Sequence, residues 1–202
     1  MRKFVCLIFL LTLLVTGSPV TTFGFPEEEK GGLIAYGPEF ELEYLAPTAE
    51  RRRDIDTISF NILKEDHDHG RVGFYKGITL TRAWGEMTRL GVTSHCEAYG
   101  IGPTYLMRIG VKKWDKAALF LDMSGALILW DKKFPTNGDI YDFMWRIGPK
   151  FSYQIGKRTF LNIGYKLMHV SNGQWNWSSM EPSPHNPSYN AKGFSLAIVH
   201  SF

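Results

Sequence analysis

The chain has 202 residues and a formal net charge of +3, and 44% of its residues are hydrophobic. A charge this close to balance provides no basic footprint for nucleic acid, so binding to nucleic acid is not expected. Of the two cysteines, Cys6 lies in an apolar N-terminal run and Cys96 in the body of the chain. After removal of that run a single thiol remains, and no intrachain disulfide is expected.

Residues 1–24 have the pattern of a signal peptide. Met1–Lys3 carries positive charge, Phe4–Val15 is apolar, and Thr16–Gly24 is small and turn-like. The apolar run is too short for a transmembrane helix, which needs roughly 20 residues. We predict export and a mature domain of residues 25–202, with the cleavage position open because both Gly17 and Gly24 fit the small-residue rule imperfectly.

The mature chain alternates apolar and polar residues in segments separated by turn residues. The first segment has Phe40, Leu42 and Tyr44 on one face and Glu39, Glu41 and Glu43 on the other. Later segments run near Asp54–Leu63, from Val72 through Leu80, from Tyr99 to Val111, over Ala117–Trp130, from Tyr141 to Tyr153, over Arg158–Ser171 and over Asn190–Phe202. The turns between them are predicted at His67–Gly70, Lys113–Lys116, Pro135–Gly138 and Gly156–Lys157. Period-two alternation of this kind predicts β-strands with one apolar and one polar face.

About eight such segments, mostly 11 to 16 residues long, predict an all-β fold, an eight-stranded antiparallel transmembrane β-barrel. Tryptophans near strand ends are expected in the interfacial girdles: Trp84, Trp114, Trp130 and Trp145. Polar residues predicted to form an interior network are Glu39, Glu41, Glu43, Arg146 and Lys150. An eight-stranded interior is filled by side chains, which disfavours a channel. The terminal Phe202 is typical of the signal read by the barrel assembly machinery, and the predicted location is the outer membrane of a Gram-negative bacterium.

Two polar residues interrupt the apolar face of the seventh segment. His169 and Ser171 have the same parity as Leu161, Ile163, Tyr165 and Leu167. Residues two apart on a strand share a face, so both are predicted on the lipid-facing wall. With an even strand number and periplasmic termini they lie at the external end, under a loop of residues 173–189.

His169-x-Ser171-Asn172, then Asn186-Pro187-Ser188-Tyr189-Asn190 and an alternating strand to a terminal Phe, resembles the lipid A 3-O-deacylase (PagL) family of outer-membrane acyloxyacyl hydrolases. The motif match covers about the last 35 residues. The resemblance implies that Ser171 is a nucleophile and His169 its general base, acting without cofactor or metal on lipid A of lipopolysaccharide. Asn172, Gly173 and Asn186 are predicted to support the site, the first two as oxyanion donors.

The sequence departs from the family pattern at the third member of the triad, where a glutamate is expected and Asn190 stands. Strand parity places Asn190 on the same wall as His169, so its amide oxygen is predicted to orient the imidazole, as an asparagine does in Cys-His-Asn proteases. An amide cannot stabilise an imidazolium by charge. Glu181 in the loop is the alternative acid.

Other interpretations stay open from sequence alone. The barrel is either an ester hydrolase or a non-catalytic barrel for adhesion, lipid binding or envelope integrity. Arg51–Arg53 is either a solvated loop or a contact for lipid A phosphates. The acidic and histidine-rich run Glu65–His69 has metal-ligand residue types, but a polar turn explains it better.

Overall fold

The computed structural model describes residues 37–48, 53–89, 91–176, 181–182 and 187–200. The predicted signal segment 1–24, Arg51, Arg52, Asn186 and Phe202 lie outside the described residues, and the side chain of Glu181 is not described either. Within the described ranges, no helix is long and apolar enough to cross a membrane.

The strands are β1 (Glu39–Pro47), β2 (Arg53–His69), β3 (Val72–Arg89), β4 (Val92–Lys113), β5 (Ala117–Phe134), β6 (Asp139–Gln154), β7 (Thr159–Ser171), β8 (Trp175–Asn176), β9 (Glu181–Pro182) and β10 (Tyr189–His200). Eight of them close into a barrel in the order β1-β10-β7-β6-β5-β4-β3-β2, with every neighbouring pair antiparallel. The short pair β8 and β9 forms a separate two-stranded sheet between β7 and β10. The predicted eight-stranded antiparallel barrel is confirmed.

Several strands are longer than the sequence pattern predicts. β3, β4 and β5 have 18, 22 and 18 residues, above the expected 11 to 16. The turn predicted to start at His67 is wrong, because β2 continues to His69 through a bulge near Asp66 and the chain reverses at Gly70, which has a φ of 67°. A positive φ is readily adopted by glycine, so this position suits the turn.

Polar and charged side chains fill the interior of the barrel. Arg108 donates hydrogen bonds to Asp122 (2.8 Å) and Glu39 (2.9 Å), and the Lys150 ammonium lies 2.6 Å from Glu39. In the described part of the chain this network contains four carboxylates and four cations: Glu39, Glu41, Glu43 and Asp122 with Arg108, Arg146, Lys150 and Lys166. The predicted interior network is therefore confirmed, and the charges within it balance.

The outer wall of the barrel is apolar. Large hydrophobic side chains exposed there include Leu42, Ile78, Tyr105, Phe151, Ile163 and Phe194. A polar interior inside an apolar wall is the arrangement of a barrel whose outer surface faces lipid.

One tryptophan predicted in a girdle lies inside the barrel. Trp130 is 6% exposed, packs against Phe134 and donates its indole N–H to Asp142 at 2.8 Å. Together with other buried apolar residues it forms an apolar plug next to the charged network: Leu45, Ile55, Met87, Ile128, Phe134, Met144, Val170 and Tyr189. The girdle prediction is wrong for Trp130, because this residue has inward parity on β5.

Candidate functional site

β7 ends with two polar residues that face outward. His169 is exposed and Ser171 is half-buried, whereas Met168, Val170 and Asn172 between and beside them are buried. The alternation of the strand thus places the imidazole and the hydroxyl on the same outer wall. We call the barrel end where β7 finishes and β10 begins the loop end.

His169 and Asn190 form a hydrogen-bonded pair across neighbouring strands. The two residues are direct partners in the β7–β10 register, and His169 Nδ1 lies 2.6 Å from Asn190 Oδ1. An amide oxygen only accepts hydrogen bonds, so Nδ1 carries the proton of this contact, and in the neutral imidazole the lone pair is then on Nε2. A neutral imidazole held in this tautomer has the form required of a general base.

Two further contacts hold the start of β10. The backbone carbonyl of Asn190 accepts hydrogen bonds from the Thr48 backbone N–H (3.1 Å) and from Thr48 Oγ1 (3.3 Å). Arg53 donates to the Ser188 carbonyl and, at 3.2 Å, to the Ser188 hydroxyl. Of the two interpretations of Arg51–Arg53, neither anticipated that Arg53 would anchor this segment. Thr48 and Arg53, which follow β1 and begin β2, therefore hold the segment that carries the hydrogen-bond partner of His169.

Ser171 lies beside an aromatic residue of β6. Its partner in the β6–β7 register is Phe143, and within the described part of the chain no hydrogen bond joins it to His169. Neighbouring side chains on one face of a strand stand about 7 Å apart at Cβ, a gap that an imidazole and a rotating hydroxyl can close. Contacts of this kind often tighten only when substrate binds.

The residues after Ser171 form a turn. Asn172 is buried on the opposite face from Ser171, and its Oδ1 accepts a hydrogen bond from the Gln174 backbone N–H at 3.1 Å. Gly173 has a φ of 72°, a left-handed conformation that suits glycine. The Asn172 side chain thus holds the turn from the interior side. Donation to an oxyanion is therefore expected only from backbone amides, such as that of Gly173.

Two large apolar side chains lie beside the His169–Asn190 pair. Trp145 is the partner of His169 in β6 and is 61% exposed, and Leu167, the next outward residue on β7, is 50% exposed. These side chains form an apolar surface directly beside the imidazole. Such a surface can contact a hydrocarbon chain.

The Glu65–His69 run has a different arrangement. His67 stacks on Phe74 with ring centroids 4.7 Å apart, His69 packs edge-on to the same ring, and Asp66 pairs with Lys76. Among the described residues, no group of three or more histidine, cysteine or acidic side chains is arranged to hold a metal ion. The run forms the end of β2, where this strand pairs with the beginning of β3.

No protein-family model matches the sequence, and no curated protein matches it. Among solved structures, the chain is similar to one described as the crystal structure of the outer membrane enzyme PagL, with 11% sequence identity and a TM-score of 0.47. The similarity covers 81% of this chain and 99% of that chain. A likeness at this level does not establish a family, so the function is inferred from the residues of the chain itself.

Proposed function

We propose that the protein is an outer-membrane ester hydrolase that removes a fatty acyl chain from lipid A. Ser171 is the nucleophile, His169 the general base and Asn190 the residue that orients the imidazole. The observation that carries the proposal is the 2.6 Å contact between His169 Nδ1 and Asn190 Oδ1, on the outer wall and two residues from Ser171. The motif resemblance supports the choice of lipid A, and the apolar wall supports a membrane location.

The reaction follows from these roles. His169 Nε2 takes the proton of the Ser171 hydroxyl while Oγ attacks the ester carbonyl, and the backbone amide of Gly173 donates to the oxyanion. The bond to the sugar oxygen then breaks, and that oxygen takes the proton from His169. Water releases the acyl group from Ser171 by the same base, so the products are a fatty acid and a lipid A with one free hydroxyl. The step requires no cofactor.

The loop end of the barrel would lie at the external leaflet, where lipid A resides. There the acyl chain would run along Leu167 and Trp145 toward the membrane interior, with the ester at the height of Ser171. We also propose that the barrel assembly machinery recognises the chain through Phe202.

The test is release of fatty acid from lipid A by the purified barrel in detergent micelles. The native chain is expected to release one acyl chain per lipid, and Ser171→Ala is expected to release none above background, because no other nucleophile is assigned. Folding of the variant is checked by the mobility shift of the unheated barrel on a gel. Equal release by both folded proteins would exclude Ser171 as the nucleophile.

Replacement of Asn190 tests the departure from the family triad. Asn190→Asp has the same shape and adds a charge that stabilises the imidazolium, so we expect turnover to rise about tenfold, a change of about 1.4 kcal/mol in the barrier. Asn190→Glu is also expected to raise turnover. Asn190→Leu has a similar size but no hydrogen-bond acceptor, so it should lower turnover by at least about tenfold. The measurement is kcat for acyl release.

A fall in kcat for both Asn190→Asp and Asn190→Glu would mean that the amide has a role of its own. An unchanged kcat for Asn190→Leu would mean that the His169–Asn190 contact does not matter for turnover. Either result would contradict the assigned role of Asn190.

A further inference from the structure

A tryptophan beside the candidate site lies over a glycine of the next strand. Trp145 of β6 faces outward and pairs with His169 of β7 on one side and with Gly125 of β5 on the other. Three ring carbons of Trp145 lie 3.4, 3.6 and 3.7 Å from the position that a Cβ on Gly125 would take. The indole therefore lies on the β5 side of its own strand, turned away from His169.

The imidazole of His169 turns the other way. Its Nδ1 is hydrogen-bonded to Asn190 of β10, so the ring lies on the β10 side of β7, away from β6. Between the two rings the seam of β6 and β7 is left open as a trough on the outer wall. Ile147 and Leu167, which are partners in the next outward row away from the loop end, are 37% and 50% exposed and continue the trough.

The trough is closed on its loop-end side. Phe143, the partner of Ser171 on β6, has ring carbons 3.4 and 3.5 Å from the position that a Cβ on Gly173 would take. Gly173 follows Ser171 in the turn, so the Phe143 ring lies on the loop-end side of the serine. A hydrocarbon chain that starts at Ser171 is therefore directed the other way, into the trough.

We infer that Gly125 is a positioning residue that keeps the trough open for a long hydrocarbon chain of the ester. This inference rests on the proposed function. Gly125 acts through Trp145, because a branched side chain at position 125 would occupy the space of the indole and turn it toward His169. The trough would then narrow where the chain passes the imidazole.

The length of the trough gives the substrate class. Leu167 lies four residues from Ser171, about 13 Å along the strand. A four-carbon acyl chain is too short to reach this row, whereas a twelve-carbon chain extends past it. The site is thus built for long-chain esters, and only long chains should sense a change at Gly125.

The experiment compares hydrolysis of p-nitrophenyl laurate and p-nitrophenyl butyrate by purified barrels in the same detergent. Proteins compared are the native chain, Gly125→Ile, Trp145→Ala, Gly125→Ile/Trp145→Ala and Leu129→Ile. Leu129 is an exposed outward residue of β5 whose partner is Tyr141, so its replacement controls for a β-branched residue elsewhere on the strand. Folding of each variant is checked by the gel mobility of the unheated barrel.

For the laurate ester, Gly125→Ile is expected to raise KM about tenfold, the effect of losing contact with about two methylene groups. We expect kcat to change little, because contacts along the chain are made equally in the ground and transition states. The KM for the butyrate ester should stay at the native value, and Leu129→Ile should change neither ester. In the Trp145→Ala background, Gly125→Ile should no longer raise KM, because the indole that it would move is gone.

The inference is overturned if Gly125→Ile leaves KM for the laurate ester unchanged, raises KM equally for both esters, or keeps its effect in the Trp145→Ala background. The proposed hydrolase would survive each of these results. If the native protein cleaves neither ester and releases no fatty acid from lipid A, the proposed function fails.

For a native protein that cleaves neither ester, binding of laurate measured by native mass spectrometry replaces the kinetics. Binding about tenfold weaker in Gly125→Ile than in the native chain, with no such difference in the Trp145→Ala background, would support the trough. Equal binding by the native chain and Gly125→Ile would overturn it.

Discussion

His169→Ala is expected to lower the rate of acyl release by about a thousandfold, the middle of the range for loss of a general base. A serine hydroxyl is a weak nucleophile until a base takes its proton, and within this site only His169 is assigned that role. The measurement is kcat/KM for acyl release from lipid A in detergent micelles.

His200→Ala is the matched control. His200 is an exposed histidine on the same strand as Asn190, but it lies at the opposite end of β10, with its Nδ1 3.0 Å from Thr159 Oγ1. Its replacement should leave kcat/KM within about twofold of the native value, a change of less than about 0.5 kcal/mol. A His169→Ala protein that folds and keeps a tenth or more of the native rate would contradict the assigned role.

Lys150→Met is expected to lower the free energy of unfolding by about 3 to 5 kcal/mol, the usual effect of removing one partner from a buried ion pair. The Lys150 ammonium lies 2.6 Å from Glu39, 2.9 Å from Glu41 and 3.1 Å from Asp122, and all of these groups are buried. Without the lysine, four carboxylates face three cations inside the barrel.

The double variant Lys150→Met/Glu41→Gln restores the charge balance and keeps an acceptor for Asn61, which donates to Glu41 at 3.0 Å. It should recover much of the lost stability. Such a recovery would show that the loss in Lys150→Met comes from the missing charge and not from the change in side-chain volume. Urea titration of the folded fraction, read from gel mobility, measures all variants. If Lys150→Met is as stable as the native barrel, the interior charges do not hold it together as we describe.

Alternation along the chain was enough to predict the strand number and the two faces of the wall. Glu39, Glu41 and Glu43 face inward because Phe40, Leu42 and Tyr44 alternate with them, and a barrel with the opposite parity would bury three aromatic and aliphatic side chains among charges. The same parity places Arg108 inside, between Met107 and Ile109, and this residue could have been predicted as part of the network. Trp130 could have been assigned inward in the same way, since Leu129 before it faces outward.

Strand ends were harder to predict, for a physical reason. Beyond the apolar wall, β3 and β4 continue as a polar hairpin in which Thr88 pairs with Thr93. Around Thr88 and Thr93 the residues no longer alternate between apolar and polar, so periodicity gives no signal and only the backbone pairing defines the strand. The bulge near Asp66 likewise changes parity without a sequence signal that alternation would detect.

For the candidate site, parity predicted that His169, Ser171 and Asn190 share a wall. The contact between His169 and Asn190 depends on the register between β7 and β10, which alternation alone does not reveal. The anchoring by Thr48 and Arg53 was not anticipated, because hydrogen bonds to backbone carbonyls of a distant strand leave no pattern in the sequence. The catalytic roles themselves stay predictions.

We expect the outer-wall group of His169, Ser171 and Asn190 to cleave an ester of lipid A. Mass spectrometry of lipid A from Gram-negative cells that express the chain tests it most directly, with cells expressing folded Ser171→Ala as the reference. We predict that the native chain shifts the lipid A mass downward by one acyl chain and that the Ser171→Ala lipid A keeps full acylation. Identical acylation in the two samples would contradict the claim and favour a barrel without catalytic activity on lipid A.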